Sequence, residues 1–231
     1  MSDFNISFYS LLIQQFIANE RIVHIKADTI LFQEKDPVDY IYLLMSGNLA
    51  LGRHHIKGKE FILKILKDEE IIIEYQLFKD NPSYHFFVKA LSDCELLKIK
   101  REQFEEYLLN DKKLLASLTS WLSTRYLKAQ MKCQDLIING KKGGLYSMLI
   151  RLANSYGVRR EEGILIDLIL THQELANLTF GTREVVQRLL KELREDGIIS
   201  YENQKFTIKD MSHLKREVDC QHCPIEICGV N

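Results

Sequence analysis

The chain has 231 residues, 46% of them hydrophobic and 27% charged, with a formal net charge of −1. That balance is ordinary for a globular protein long enough to hold two modest cores. It excludes a disordered or collagen-like chain and gives no global positive charge for attracting nucleic acid. No apolar run approaches the ~18 residues of a membrane span, and the opening MSDFNISFYS lacks a basic stretch followed by a continuous apolar one, so a cytoplasmic protein without membrane contact is expected.

Residues 21–100 carry short apolar runs with alternating character: Arg21 to Ile25, Ile41 to Leu44, Phe61 to Ile65 and His85 to Val88. Turn signals at Asp36-Pro37, Ser46-Gly47, Lys57-Gly58 and Asn81-Pro82 separate them. Many short strands at this spacing predict an antiparallel sandwich or barrel. From Asp111 to Asn139 the pattern changes to a helix free of Gly and Pro until its end. Leu115, Leu118, Leu122, Tyr126, Ala129, Cys133 and Leu136 recur in steps of 3, 4, 4, 3, 4 and 3, the seam of a coiled coil. A homodimer along this helix is the expectation. Asn139-Gly140-Lys141-Lys142-Gly143-Gly144 then breaks the helix and acts as a hinge.

Beyond the hinge, Leu145 to Tyr156 is an amphipathic helix stopped at Gly157, and Ile164 to Leu170 reads as a strand. Thr171 and Glu174 make a T-x-x-E capping box that starts a helix, Asn177 to Gly181 is a tight turn, and Thr182 caps a further helix running to Gly197. That last helix has one apolar side (Val186, Leu189, Leu190, Leu193) and one polar side (Arg183, Glu184, Gln187, Arg188, Lys191). Ile198 to Tyr201 and Phe206 to Ile208, around Asn203-Gln204, predict a hairpin. Helix, turn, helix and wing together predict a winged helix-turn-helix that binds double-stranded DNA. Arginine can donate a bidentate pair to guanine and glutamate can accept from cytosine, which makes Arg183, Glu184 and Arg188 the candidate base readers, with Gln187, Thr182 and Thr171 beside them. Two observations favour a plain surface helix instead: Glu184 with Arg188 and Lys191 with Glu195 have the i,i+4 spacing of stabilising pairs. Residues 143–212 also carry nine Lys and Arg against ten Asp and Glu. The DNA reading therefore needs local geometry, including backbone amides, to supply phosphate contacts.

Three of the five cysteines, Cys220, Cys223 and Cys228, fall in the segment DCQHCPIEICGVN, which is too short to bury a core. An odd cysteine count without an export signal points to reduced thiols and metal binding rather than disulfides. Soft thiolates favour iron-sulfur clusters, zinc or Cu(I). Three chemistries are open, ranked in this order: a 4Fe-4S cluster needing a fourth ligand, a Cys3His zinc site completed by His222 or His213, and a Cys220–Cys223 dithiol switch. Cys94 and Cys133 read as structural. The segment after Asp210 has few apolar residues, so without metal it is expected to be poorly fixed. No Walker loop, G-x-S-x-G or G-x-G-x-x-G is present, and the Cys-x2-Cys lies outside any βαβ unit, so no enzyme is expected.

Phe32, Asp36-Pro37, Ile41-Tyr42, Ser46-Gly47 and the R-E-x-x-x-R of Arg183 to Arg188 resemble the Crp/Fnr superfamily over nearly the whole chain. Gly140 to Ser147 and the clustered cysteines are similar to its Bacillus-type Fnr regulators. The resemblance implies an α+β architecture: a cyclic-nucleotide-type antiparallel β-roll over 1–110, a long dimerisation helix over 111–139, a winged helix-turn-helix over 140–212 and a cysteine segment over 213–231. It implies a homodimer reading a TGTGA-like inverted repeat, with RNA polymerase as a partner. It also implies an oxygen- or redox-responsive 4Fe-4S cluster held by Cys220, Cys223, Cys228 and Asp135, whose carboxylate, a harder ligand than a thiolate, is expected to leave first on oxidation. No cyclic nucleotide is expected: residues 83–90 lack the phosphate-binding arginine of cyclic-nucleotide sensors, and Ile73 stands where a glycine precedes Glu74.

Overall fold

The computed structural model describes residues 8–17, 21–54, 60–179, 181–220, 223–225 and 227–230. The turn expected at Lys57-Gly58 and the candidate ligand His222 lie outside them. The chain gathers into two compact units, Met1–Ser123 and Thr124–Asn231.

Among the described residues of the first unit, eight strands follow a short helix, α1 (Phe8–Ile17): β1 (Ile22–Ile25), β2 (Ile30–Phe32), β3 (Tyr40–Ser46), β4 (Leu49–His54), β5 (Glu60–Leu66), β6 (Glu70–Ile72), β7 (Phe87–Ala90) and β8 (Cys94–Lys100). They form two four-stranded antiparallel sheets ordered β1-β8-β3-β6 and β2-β7-β4-β5. This is the expected roll. Its core takes residues from both sheets, with Ile41, Leu43, Leu49, Leu66 and Leu96 fully buried; each such side chain contributes ~1.5–3 kcal/mol of burial free energy. Helix α1, not anticipated, buries Phe8, Leu12 and Phe16, an i, i+4, i+8 stripe. Helix α2 (Arg101–Asn110) adds Phe104 and Leu108.

Segment 83–90 is tied up internally. Tyr84 stacks on Phe32 with centroids 3.6 Å apart and donates to the Tyr40 carbonyl at 2.7 Å, while Lys89 pairs with Asp28 at 2.8 Å. Cys94 is buried, its Sγ 3.2 Å from the Ser92 carbonyl, and burial pushes its thiol pKa up, which fits a structural role.

Helix α3 (Lys112–Tyr156) is two helical arms meeting at Gly140, whose φ of 58° and ψ of −159° lie in a region open essentially to glycine. The break expected over 139–144 is thus a single residue. Gly143 and Gly144 are helical, and their role is close approach: a Cβ on Gly143 would collide with Asn139 Cβ, and one on Gly144 would come within 2.9 Å of Leu136 Cδ2. Along the first arm, Leu118 is buried in the core of the first unit, whereas Leu115, Leu122, Tyr126, Ala129 and Cys133 are exposed, so most of the heptad stripe has no cover within the chain.

The second unit continues with β9 (Gly157–Arg160), β10 (Gly163–Ile166), α4 (His172–Leu178), α5 (Arg183–Glu195), β11 (Ile199–Glu202), β12 (Lys205–Ile208) and α6 (Met211–Glu217). The sheet order is β11-β12-β10-β9. The strand expected over 164–170 ends at Ile166, because Asp167 turns away to hydrogen-bond through its backbone N–H to Tyr156 and through its carboxylate to Lys205. Asn203 and Gln204 both take positive φ, 50° and 60°, making the tight two-residue turn that suits the twist of a hairpin.

Candidate nucleic-acid interface and metal centre

The capping box forms as expected: Thr171 Oγ1 accepts from the Glu174 N–H at 3.1 Å, and the Glu174 carboxylate accepts from the Thr171 N–H at 2.7 Å. Thr182 caps α5 by accepting from the Val185 N–H at 3.4 Å. Val186, Leu189, Leu190 and Leu193 of α5 are buried, and Arg183, Glu184, Gln187, Arg188 and Lys191 are exposed on the other side. Two loose ion pairs lie on this side, Arg188 to Glu192 at 4.0 Å and Lys191 to Glu195 at 3.6 Å. Exposed i,i+4 pairs of this kind are worth ~0.3–0.5 kcal/mol, so they give way cheaply to a stronger acceptor.

The wing is fastened to the start of α4. His172 packs on Tyr201 and Phe206 with centroid distances of 4.9 and 6.3 Å, and Tyr201 donates from its hydroxyl to the Leu170 carbonyl at 3.1 Å. Burial, and then the charges of Arg183 and Arg194, hold the His172 pKa below its ordinary value.

The cysteine segment is reached through α6. Asp210 caps that helix by accepting from the His213 N–H at 2.9 Å, and Lys142 pairs with Glu217 at 2.8 Å. After α6 the Cys220 N–H donates to the Lys215 carbonyl, and the N–H groups of Ile227 and Cys228 both donate to the Pro224 carbonyl, closing a turn between Cys223 and Cys228.

Cys220, Cys223, Cys228 and Asp135 line one cleft of about 180 Å³, together with Arg151, Ile138, Ile150 and their neighbours. The fold therefore gathers all four residues that the sequence singled out. Burial pushes the Cys228 thiol up; Arg151 opposes that shift, and Cys220, Cys223 and Asp135 add to it. His213 is not among the lining residues; it lies 6.5 Å from Tyr146 between ring centroids. Cys133, on the seam, is exposed.

Among the described residues, no three His, Cys, Asp or Glu side chains converge closely enough to hold a single metal ion. A mononuclear zinc site demands four ligands within ~2.0–2.3 Å of one point. Three thiols and one carboxylate are a donor set that fits a soft metal ion or an iron-sulfur cluster.

Sequence reasoning missed what holds the segment in place. Its described residues are hydrogen-bonded to α3. Arg151 Nη1 donates to the Ile227 carbonyl at 3.2 Å, Asn154 Nδ2 to the Cys228 carbonyl at 2.6 Å and Lys132 Nζ to the Val230 carbonyl at 3.5 Å, while the Val230 N–H donates to Ser155 Oγ at 3.0 Å. Val230 itself is buried. The tether is hydrogen bonding to backbone, which apolar content does not report. One signal was available: Arg151 is a lone charge inside the apolar run Leu149-Ile150-Arg151-Leu152.

Residues 22–111 match the cyclic nucleotide-binding domain family, and residues 145–217 match the Crp-like helix-turn-helix domain family. The anaerobic regulatory protein of Bacillus subtilis (strain 168) is 40% identical over 204 residues, covering 88% of this chain and 86% of that protein. The global nitrogen regulator of Nostoc sp. (strain PCC 7120) is 32% identical over 188 residues, covering 81% and 84%. Among solved structures, the c-di-GMP responsive global regulator CLP of Xanthomonas campestris superposes with a TM-score of 0.76 at 23% identity, covering 87% of this chain and 99% of that one. A CooA mutant from Carboxydothermus hydrogenoformans superposes with a TM-score of 0.75 at 20% identity, covering 93% and 96%. These two carry the fold alone. The described residues include no helix long and apolar enough to cross a membrane. Roll, helix-turn-helix and relatives agree: the chain belongs to the Crp/Fnr family of transcription regulators and is not an enzyme.

Proposed function

We propose that this regulator acts in the cytoplasm as a homodimer, reads a TGTGA-like inverted repeat, and responds to oxygen or redox state through a 4Fe-4S cluster held by Cys220, Cys223, Cys228 and Asp135. The observation that carries this reading is the single cleft lined by those four residues. The relative named for anaerobic regulation, 40% identical, supports it. Bound there, a cluster supplies one-electron redox chemistry tuned by its ligands, charge and exposure.

The chain's own residues do the rest. Asp135 lies on the first arm of α3, before Gly140, whereas the cysteines follow α6, so a ligand set drawn from both ties the two sides of the hinge. The uncovered stripe of Leu115, Leu122, Tyr126, Ala129 and Cys133 is the proposed dimer seam. Dimeric readers of this class place two recognition helices ~34 Å apart, one turn of DNA, so a small change of hinge setting alters affinity. On α5, Arg183, Glu184 and Arg188 read base edges, Gln187 assists, and Thr171 and Thr182 fix the two helix starts. The partition proposed is 1–110, 111–139, 140–212 and 213–231, with RNA polymerase as the output partner.

Purification without oxygen tests the reading. A brown protein with about four irons per chain, binding TGTGA-type duplexes more tightly than scrambled ones at fixed salt, is the expected result. A colourless protein with stoichiometric zinc, or equal affinity for both duplexes, overturns it.

A further inference from the structure

We infer that Arg151 is the positioning residue of the cysteine cleft, one guanidinium that orients the Asp135 carboxylate and pins the segment bearing Cys228. The inference rests on the cluster reading above. Arg151 projects from the second arm of α3 with its side chain only 4% exposed. A guanidinium so deeply buried must be compensated by charge and hydrogen bonds. It is: Nε and Nη2 both donate to Asp135 Oδ2, at 3.1 and 2.7 Å, and Nη1 donates to the Ile227 carbonyl at 3.2 Å.

The two anchors matter together. Asp135 Oδ2 carries both hydrogen bonds from the guanidinium, while Oδ1 accepts none among the described residues, leaving that oxygen for another partner. Ile227 directly precedes Cys228, so the same side chain fixes the position of one thiol and the rotation of the carboxylate. Three thiolates and a carboxylate concentrate negative charge, and among the described residues lining the cleft Arg151 supplies the positive charge. Lysine is no substitute, because an ammonium is a point charge that lacks the planar fork needed to serve Oδ2 and a backbone carbonyl from one position. Hydrogen-bond partners of metal ligands commonly control metal affinity by 10–100-fold.

The test compares the wild-type protein with Arg151→Gln, Arg151→Lys, Asp135→Ala and the double variant Arg151→Gln/Asp135→Ala, all purified without oxygen. Iron and sulfide per chain and the decay of visible absorbance on admitting air are measured, with amide hydrogen exchange over α5, β11 and β12 as the check on folding. Arg151→Gln is expected to lose iron or decay at least about tenfold faster than wild type, with Arg151→Lys between them. The double variant should fall short of the two single effects combined, because part of what Arg151 does passes through that carboxylate. Wild-type iron content and decay in Arg151→Gln, or a full tenfold effect added on top of Asp135→Ala, overturns the inference while the cluster reading stands. An iron-free wild type overturns both. Should Arg151→Gln lose its fold, Arg151→Lys carries the comparison, and wild-type decay in it overturns the inference.

Discussion

Replacing Gly140 by alanine separates a true hinge from a glycine that merely sits in a long helix, because the two predict opposite signs. In a regular helix Gly→Ala stabilises by ~0.5–1 kcal/mol. Gly140 instead has φ 58° and ψ −159°, where a residue with a Cβ is strained by about 1–3 kcal/mol. A Cβ there meets nothing within 4 Å, so the cost is conformational rather than steric. The variant can escape by straightening α3, but that pulls Asp135 away from Arg151 and leaves a buried guanidinium unpaired, a loss of order 3 kcal/mol. Whichever route is cheaper, a net destabilisation of about 1–3 kcal/mol follows, seen as a melting temperature lowered by several degrees at roughly 2–4 °C per kcal/mol. Thermal unfolding by circular dichroism gives the magnitude, and hydrogen exchange over 141–156 locates it. A Gly140→Ala protein as stable as wild type, or more so, refutes the hinge.

Thr171→Ala removes a reciprocal cap and should cost about 0.5–2 kcal/mol, with faster hydrogen exchange confined to α4; unchanged exchange there contradicts the role given to the box. Arg183→Ala should cost about 1–3 kcal/mol of discrimination at one guanine, measured across a duplex panel, and unaltered specificity would remove it from the base readers. Because His172 has its folded pKa below 6.5, the unfolded chain takes up a proton first as the pH falls. Its contribution to stability is therefore complete above pH 6.5 and is lost below it, and His172→Gln should flatten the stability profile between about pH 7 and 5. In the proposed dimer Arg183, Arg188 and Lys191 of two subunits would present about six cations to the DNA, so log K should fall against log salt with a slope of about −5; a slope near zero would show that α5 does not meet the duplex.

The parts of the fold that were legible are those with local signatures. T-x-x-E at Thr171, the two-sided pattern of α5 and the turn at Asn203-Gln204 each state their own geometry, and each formed as read. Strand β9 was not legible because all four of its residues are exposed, so no alternation marks it and pairing with β10 defines it. The cysteine cleft was legible as a donor set, from the spacing of Cys220, Cys223 and Cys228 and the likeness that pointed to Asp135. Its scaffold was not, since Lys132, Arg151, Asn154 and Ser155 act on backbone atoms distant in sequence, and such contacts leave no periodic trace.

Residues 143–212, with nine Lys and Arg against ten Asp and Glu, are compatible with the proposed DNA reading because the acids lie where a duplex does not need them absent. Glu192 and Glu195 stand one turn beyond Arg188 and Lys191 on α5, where they balance those cations in the free protein at a cost of only a few tenths of a kcal/mol to release. Asp196 caps the far end of the same helix, and Asp167 is held by Lys205. In the proposed reading the phosphates meet the cationic side of α5 rather than the sum over residues 143–212, and an exposed Glu184 among arginines would punish a wrong base more than weaken a right one. Net charge bears on solubility and encounter; the placement of a few side chains on one helix face bears on recognition.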